Sequence, residues 1–145
     1  MHVNEIMSEP VYTVKMTATI QFAAEMMATH DVGALPVTED GVLVGIVTDR
    51  DIVLRSLAEG LSPTAILVHR IMTPTPIALP PNASVDEAAR IFTETRIRRL
   101  PIVDEGHPVG MLTVDDVARM WTNDAATLLM VRRVAPRRKH RTSAA

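Results

Sequence analysis

The sequence contains no cysteine, which rules out disulfide staples, thiolate metal centres and a cysteine nucleophile together. Aromatic residues make up only 3% of it, so a core must be assembled from Val, Ile, Leu, Ala and the nine Met. No apolar run approaches the ~20 residues of a membrane span. The opening Met1-His2-Val3-Asn4-Glu5 lacks the basic and apolar blocks of a secretory leader. A cytoplasmic protein without membrane association is therefore expected. P-loops, dinucleotide-binding glycine fingerprints and the nucleophile elbow of hydrolases are all missing. The five histidines, His2, His30, His69, His107 and His140, show no metal-ligand spacing. Asp49, Asp51, Asp115 and Asp116 fit first-turn helix acids better than divalent-ion ligands. No metal, no cofactor and no catalysis are expected.

What is present is globular in character, 47% apolar and 22% charged. The net charge of −2 hides an asymmetry. Arg132, Arg133, Arg137, Arg138, Lys139 and Arg141 place six positive charges in the tail, leaving −8 on the remainder. An acidic body is poorly suited to gripping phosphate backbones, so nucleic acid is not the expected partner. The length, 145 residues, suits one ordinary domain or two small halves. A half of about 60 residues buries too little surface to stand alone, so two halves would be packed on each other.

The chain repeats itself. Shifted by 65 positions, Ile6-Met7-Ser8 lies over Ile71-Met72-Thr73, and Thr19 over Ser84. Ala23-Ala24 lies over Ala88-Ala89, Leu35-Pro36-Val37 over Leu100-Pro101-Ile102, and Gly41 over Gly106. Val44-Gly45 falls on Val109-Gly110, Thr48 on Thr113 and Asp51 on Asp116. Each copy opens with a short apolar run, Val11–Val14 or Ile77–Leu79, too brief for a helix. A hydroxyl N-cap, Thr19 or Ser84, then starts an amphipathic helix. Ile20, Ala23, Ala24 and Met27 keep helical spacing in the first copy; Val85, Ala88, Ala89 and Phe92 do so in the second. Two β-branched runs follow, joined by Asp40-Gly41 or Glu105-Gly106 as hairpin turns. A final helix begins after Thr48 or Thr113. The predicted order is β-α-β-β-α, twice, in a mixed α/β (α+β) fold.

This divides the chain into residues 1–62, 63–124 and a C-terminal extension 125–145. Gly60 reads as the stop of the first copy's last helix. Ser62-Pro63 predicts a short helix running to about Met72, and the Thr-Pro-Thr-Pro of 73–76 an extended segment. Asp124 to Val134 could form one more helix, with Arg137-Arg138-Lys139-His140-Arg141 as a solvated tail. Trp121 is expected to cover a core edge or a dimer seam.

Gly33-Ala34-Leu35-Pro36-Val37 followed by Gly45-Ile46-Val47-Thr48-Asp49-Arg50-Asp51-Ile52 resembles the signature of the cystathionine-β-synthase (CBS) domain. So does Arg98-Arg99-Leu100-Pro101-Ile102-Val103-Asp104 with Gly110-Met111-Leu112-Thr113-Val114-Asp115-Asp116. The ordered set, occurring twice at one spacing, is most similar to the short stand-alone CBS pairs. That resemblance implies two repeats packed through their sheets about a pseudo-twofold axis, with two clefts between them, and a disk-shaped homodimer.

Thr48-x-x-Asp51 and Thr113-x-x-Asp116 fall where a strand gives way to a helix, and two readings stay open. Ser/Thr followed three residues later by an acid is a helix capping signal. A carboxylate at a cleft mouth can also accept hydrogen bonds from both ribose hydroxyls, each worth about 1.5–3 kcal/mol with water excluded. The resemblance implies the second role for Thr48, Asp51, Thr113 and Asp116. It also implies an adenine slot at Val11, Tyr12, Thr13, Ala34, Leu35 and Pro36, with its counterpart at Pro76, Ile77, Ala78, Leu100 and Pro101. Phosphates need cations, which Arg96, Arg98 and Arg99 supply, with Arg50 and His30 as further candidates. The residues matching those three arginines are Asp31, Gly33 and Ala34, so the two clefts are chemically unequal.

The expected function is thus a non-catalytic sensor of AMP, ATP or S-adenosylmethionine, a homodimer that signals to an unidentified protein partner. The alternative is a ligand-free interaction module whose basic tail contacts nucleic acid or an acidic partner.

Overall fold

The structure is a computed structural model and describes residues 1–121. The expected helix of 124–134 and the basic tail lie outside the described residues. In chain order the elements are β1 (Val14–Lys15), α1 (Ile20–His30), β2 (Ala34–Glu39), β3 (Val42–Thr48), α2 (Asp49–Asp51), β4 (Thr73–Pro74), α3 (Val85–Glu94), β5 (Arg99–Asp104), β6 (His107–Thr113) and α4 (Val114–Trp121). A wider π-type segment, Ile52–Leu57, continues α2.

Local chemistry places the helix starts as the sequence predicts. Thr19 Oγ1 accepts from Phe22 N at 3.1 Å and Ser84 Oγ accepts from Glu87 N at 3.1 Å, each satisfying a donor that the first helical turn leaves unpaired. Both hairpins turn through left-handed residue pairs, Asp40-Gly41 (φ 51° and 80°) and Glu105-Gly106 (φ 47° and 85°). Successive positive φ values match the right-handed twist of the strands they join.

The two halves obey the 65-residue shift in register as well as in order. Val14 pairs in parallel with Val37, and Leu79 with Ile102. Thr73 pairs with Ile46 on the outer side of β3, and Ser8 with Met111 on that of β6. The opening segment of each half therefore supplies an edge to the other half's sheet. Packing follows the same exchange. Val68 and Ile71 are buried among Val14, Ile20, Leu35, Val37 and Val47, whereas Val3 is buried among Leu79, Val85, Leu100, Ile102 and Leu112. Met72 lies on Gly45 and Met7 on Gly110, so closely that a Cβ on either glycine would collide with the thioether. The hairpin tips also meet: Leu43 N donates to Gly106 O at 2.9 Å, and His107 Nδ1 lies 2.9 Å from Gly41 O.

Three expectations need correction. The helix from Ser62 to Met72 does not form; a turn at 63–65 is followed only by a 3-10 turn, Val68–Arg70. The intervening carbonyls are drawn to α1, whose Ile20 N and Gln21 N donate to Ile66 O (3.0 Å) and Pro63 O (2.9 Å). A continued helix would leave those α1 donors unpaired. Residues 73–76 are not extended throughout, since Thr75 turns left-handed (φ 47°) as its N–H reaches Val44 O at 3.1 Å. The first strands are also shorter than their apolar runs: only Val14–Lys15 and the single Leu79 bridge pair.

Candidate functional site

The two Thr-x-x-Asp sets stand at the β3–α2 and β6–α4 junctions, and both form closed capping boxes. Thr48 N donates to Asp51 Oδ2 at 2.9 Å, and Asp51 N donates to Thr48 Oγ1 at 3.1 Å. Thr113 N donates to Asp116 Oδ2 at 2.8 Å, the Thr113 hydroxyl donates to the same oxygen at 2.7 Å, and Asp116 N returns to Thr113 Oγ1 at 3.3 Å. The capping reading is thus real in both halves, yet these bonds engage only Oδ2. What happens at Oδ1 separates the halves. Asp51 Oδ1 lies 3.6 Å from Arg55 Nε, one helical turn on, with the aspartate side chain only 14% exposed. Arg55 is itself anchored, its Nη1 donating to Ile71 O at 3.2 Å. The residue matching Arg55 in the second half is Met120, whose thioether offers Asp116 no positive charge.

Beside the second box lies a concavity of about 360 Å³ lined by Phe92, Thr93, Thr95, Arg96, Ile97, Arg98 and Val114. Arg96 and Arg98 precede β5 rather than belonging to it, yet they line one cleft, as their spacing suggested. The exit of α3 opens it: Thr95 is extended (φ −121°, ψ 172°), and its hydroxyl closes the helix end on Ile91 O at 2.7 Å. The exit of α1 differs, because Asp31 adopts the left-handed cap (φ 52°).

Other predicted site residues are placed as follows. Ala34, Leu35, Pro36, Leu100 and Pro101 are buried in the core, so a base beside them would meet backbone rather than side chain. Val11, Tyr12, Thr13, Pro76 and Ala78 are half-buried, and Ile77 is exposed. Arg50 is exposed, with its N–H donating to Asp49 Oδ1 at 2.9 Å. Arg99 points across the pseudo-twofold: a Cβ on Gly33 would lie 2.8 Å from its Nη2 and 3.1 Å from Asp49 Oδ2. His30 stacks face to face on Tyr12, ring centres 3.7 Å apart and planes within 13°. Sequence reasoning missed Arg55 and, on the cleft wall, Phe92, Thr93, Thr95, Ile97 and Val114. Arg55 had a signal, since it stands four residues after Asp51, the spacing of a helical ion pair.

Among the described residues no group of three or more His, Cys, Asp or Glu converges as a metal site, and no helix is long and apolar enough to cross a membrane.

Comparison with known proteins accords with this geometry. The family profile described as CBS domain matches residues 3–57 and 68–122. The CBS domain-containing protein YhcV of Bacillus subtilis (strain 168) is 41% identical over 125 residues, covering 86% of this chain and 89% of its own. The crystal structure of Hypoxic Response Protein I with two coordinated zinc ions superposes with a TM-score of 0.75 at 36% identity, covering 82% of this chain and 98% of that one. The CBS domain pair of protein MJ0100, in complex with 5′-methylthioadenosine and S-adenosyl-L-methionine, gives a TM-score of 0.74 at 31% identity, with 83% and 95% coverage. CBSX2 in complex with AMP gives 0.71 at 28%, also with 83% and 95% coverage.

Proposed function

We propose, from the premise that the chain belongs to the CBS-domain family as a tandem pair, that it is a non-catalytic regulatory module binding an adenosyl ligand such as AMP, ATP or S-adenosylmethionine. The observation that carries this reading is the cleft beside Thr113 and Asp116. Two arginines suited to phosphate line it, and through Val114 it adjoins the strand-to-helix junction that holds the Asp116 carboxylate, a group suited to ribose hydroxyls. The ligands of CBSX2 and MJ0100 share the adenosine part that such a cleft would grip.

Ligand that binds only the folded state raises the melting temperature. Millimolar AMP, ATP or S-adenosylmethionine is therefore expected to shift the thermal melt, whereas guanosine should not. A melt unmoved by every adenosyl compound would remove the reading. Within the cleft, Arg96→Ala should weaken ATP by about tenfold, the cost of one charge-assisted bond, and adenosine hardly at all. Titration calorimetry on the variant decides this, and equal loss for both ligands would take Arg96 out of phosphate contact.

Two copies are expected to stack through the helical surface of the first half. There Phe22 is 47% exposed, Val53 51%, Leu54 46% and Leu57 71%, more apolar surface than isolated residues would present. Leu57→Glu would bury an unpaired charge at such a seam, a cost of about several kcal/mol. Light scattering should then report a monomer; an unchanged mass would place the contact elsewhere.

A further inference from the structure

We infer that the first cleft is filled by the chain's own side chains, so that each chain takes up a single adenosyl ligand, in the second cleft. The inference rests on the nucleotide reading above and deepens it. It starts from the 65-residue shift applied to the open cleft. Thr95, on the wall of that cleft, corresponds to His30, and His30 is covered by the Tyr12 ring in a close parallel stack. Tyr12 in turn corresponds to Ile77, which is 44% exposed and does not line that cleft. A wall position of the open cleft thus carries in the other half a ring capped by a second ring, much as a purine would lie against an aromatic face.

Two independent features act in the same direction. Arg96 and Val114 of the open cleft are matched by Asp31 and Asp49, so the first cleft presents carboxylates where the second presents an arginine and an apolar side chain. Phosphate would meet both acids there, offset in part by the Arg99 guanidinium beside Gly33. The ribose acceptor is engaged as well, since Asp51 Oδ1 faces Arg55, while Met120 leaves Asp116 without that competitor. The stacked rings are what closes the first cleft; the acids and the Arg55 pairing weaken what it could hold once open.

The test uses the full chain and adenosine, which carries no phosphate for Asp31 and Asp49 to repel. Calorimetry on the unaltered protein should give one adenosine per chain; two would overturn the inference. Tyr12→Ile with His30→Thr installs the second half's residues at both ring positions and should raise the stoichiometry to two, detected as a second binding event. A value that stays at one in a variant with an unchanged far-ultraviolet spectrum would also overturn it. Should the unaltered chain bind no adenosyl compound at all, the nucleotide reading fails, and the sealing is decided separately by NMR. Tyr12 is the only tyrosine. Its ring signals should move when His30 becomes Ala, and signals indifferent to that change would show that the first cleft is not sealed by the pair. Movement of the Tyr12 signals on adding adenosine to the unaltered protein would make the rings a clamp on the ligand, and the sealing would again be overturned.

Discussion

Asp116→Ala is expected to remove most of the nucleotide-dependent stabilisation, and Asp51→Ala to leave it intact. Both substitutions open a capping box, so both should lower the melting temperature of the unliganded protein, by roughly 1 kcal/mol of cap energy each. Asp51→Ala should cost somewhat more, because it also frees Arg55 from its ion pair. The ligand response separates them. At a nucleotide concentration a hundred times Kd, binding contributes about 2.7 kcal/mol of stability. Two lost hydrogen bonds to a charged acceptor weaken affinity by about a hundredfold or more. Roughly 0.4 kcal/mol of that stabilisation then remains, so a shift of about 8 °C shrinks to about 1 °C. Thermal melts of both variants with and without AMP settle the matter. If Asp116→Ala unfolds the free protein severely yet keeps its ligand response, the carboxylate is a helix cap and nothing more.

The second large effect concerns the two methionine–glycine contacts. Gly45→Ala should destabilise the protein by about 2–3 kcal/mol, and Gly110→Ala by nearer 1 kcal/mol, within the range for overpacking a filled site. The difference comes from what each new methyl would meet. At Gly110 the three nearest atoms all belong to the flexible side chain of Met7, which can rotate away. At Gly45 it meets Met72 and also the backbone oxygen of Thr73, 3.0 Å off, which is fixed by the pairing of Thr73 with Ile46. Chemical denaturation measures both values. Combining Gly110→Ala with Met7→Ala should recover part of the loss, since residues in contact are energetically coupled. Strict additivity, or equal cost at the two glycines, would contradict the described packing.

Much of this architecture is legible in the sequence because it is written twice. Each hydroxyl cap, hairpin turn and apolar period in one copy is checked by its counterpart, which is how the Thr19 and Ser84 caps and the Asp40-Gly41 and Glu105-Gly106 turns are read correctly. The failures fall where a segment's conformation is set by distant chain. Ser62-Pro63 looks like a helix start, but carbonyls of this stretch are taken by Ile20 and Gln21 of α1. No local pattern announces that demand. Around the site, spacing locates the capping boxes of Thr48 with Asp51 and Thr113 with Asp116, and groups Arg96 with Arg98. It cannot tell that Arg99 turns to Gly33 instead, or that Tyr12 and His30, 18 positions apart in the sequence, meet face to face. Those depend on side-chain direction at the ends of elements, where the regular periods of helix and strand give no guidance.

The exchange of opening segments has a consequence for biosynthesis. Val3 rests against Leu79, Leu100, Ile102 and Leu112, which are made much later than it is. The earlier half, for its part, waits on Val68 and Ile71 to close its interior. The segment around Val3 must therefore stay unburied until the second half has been made.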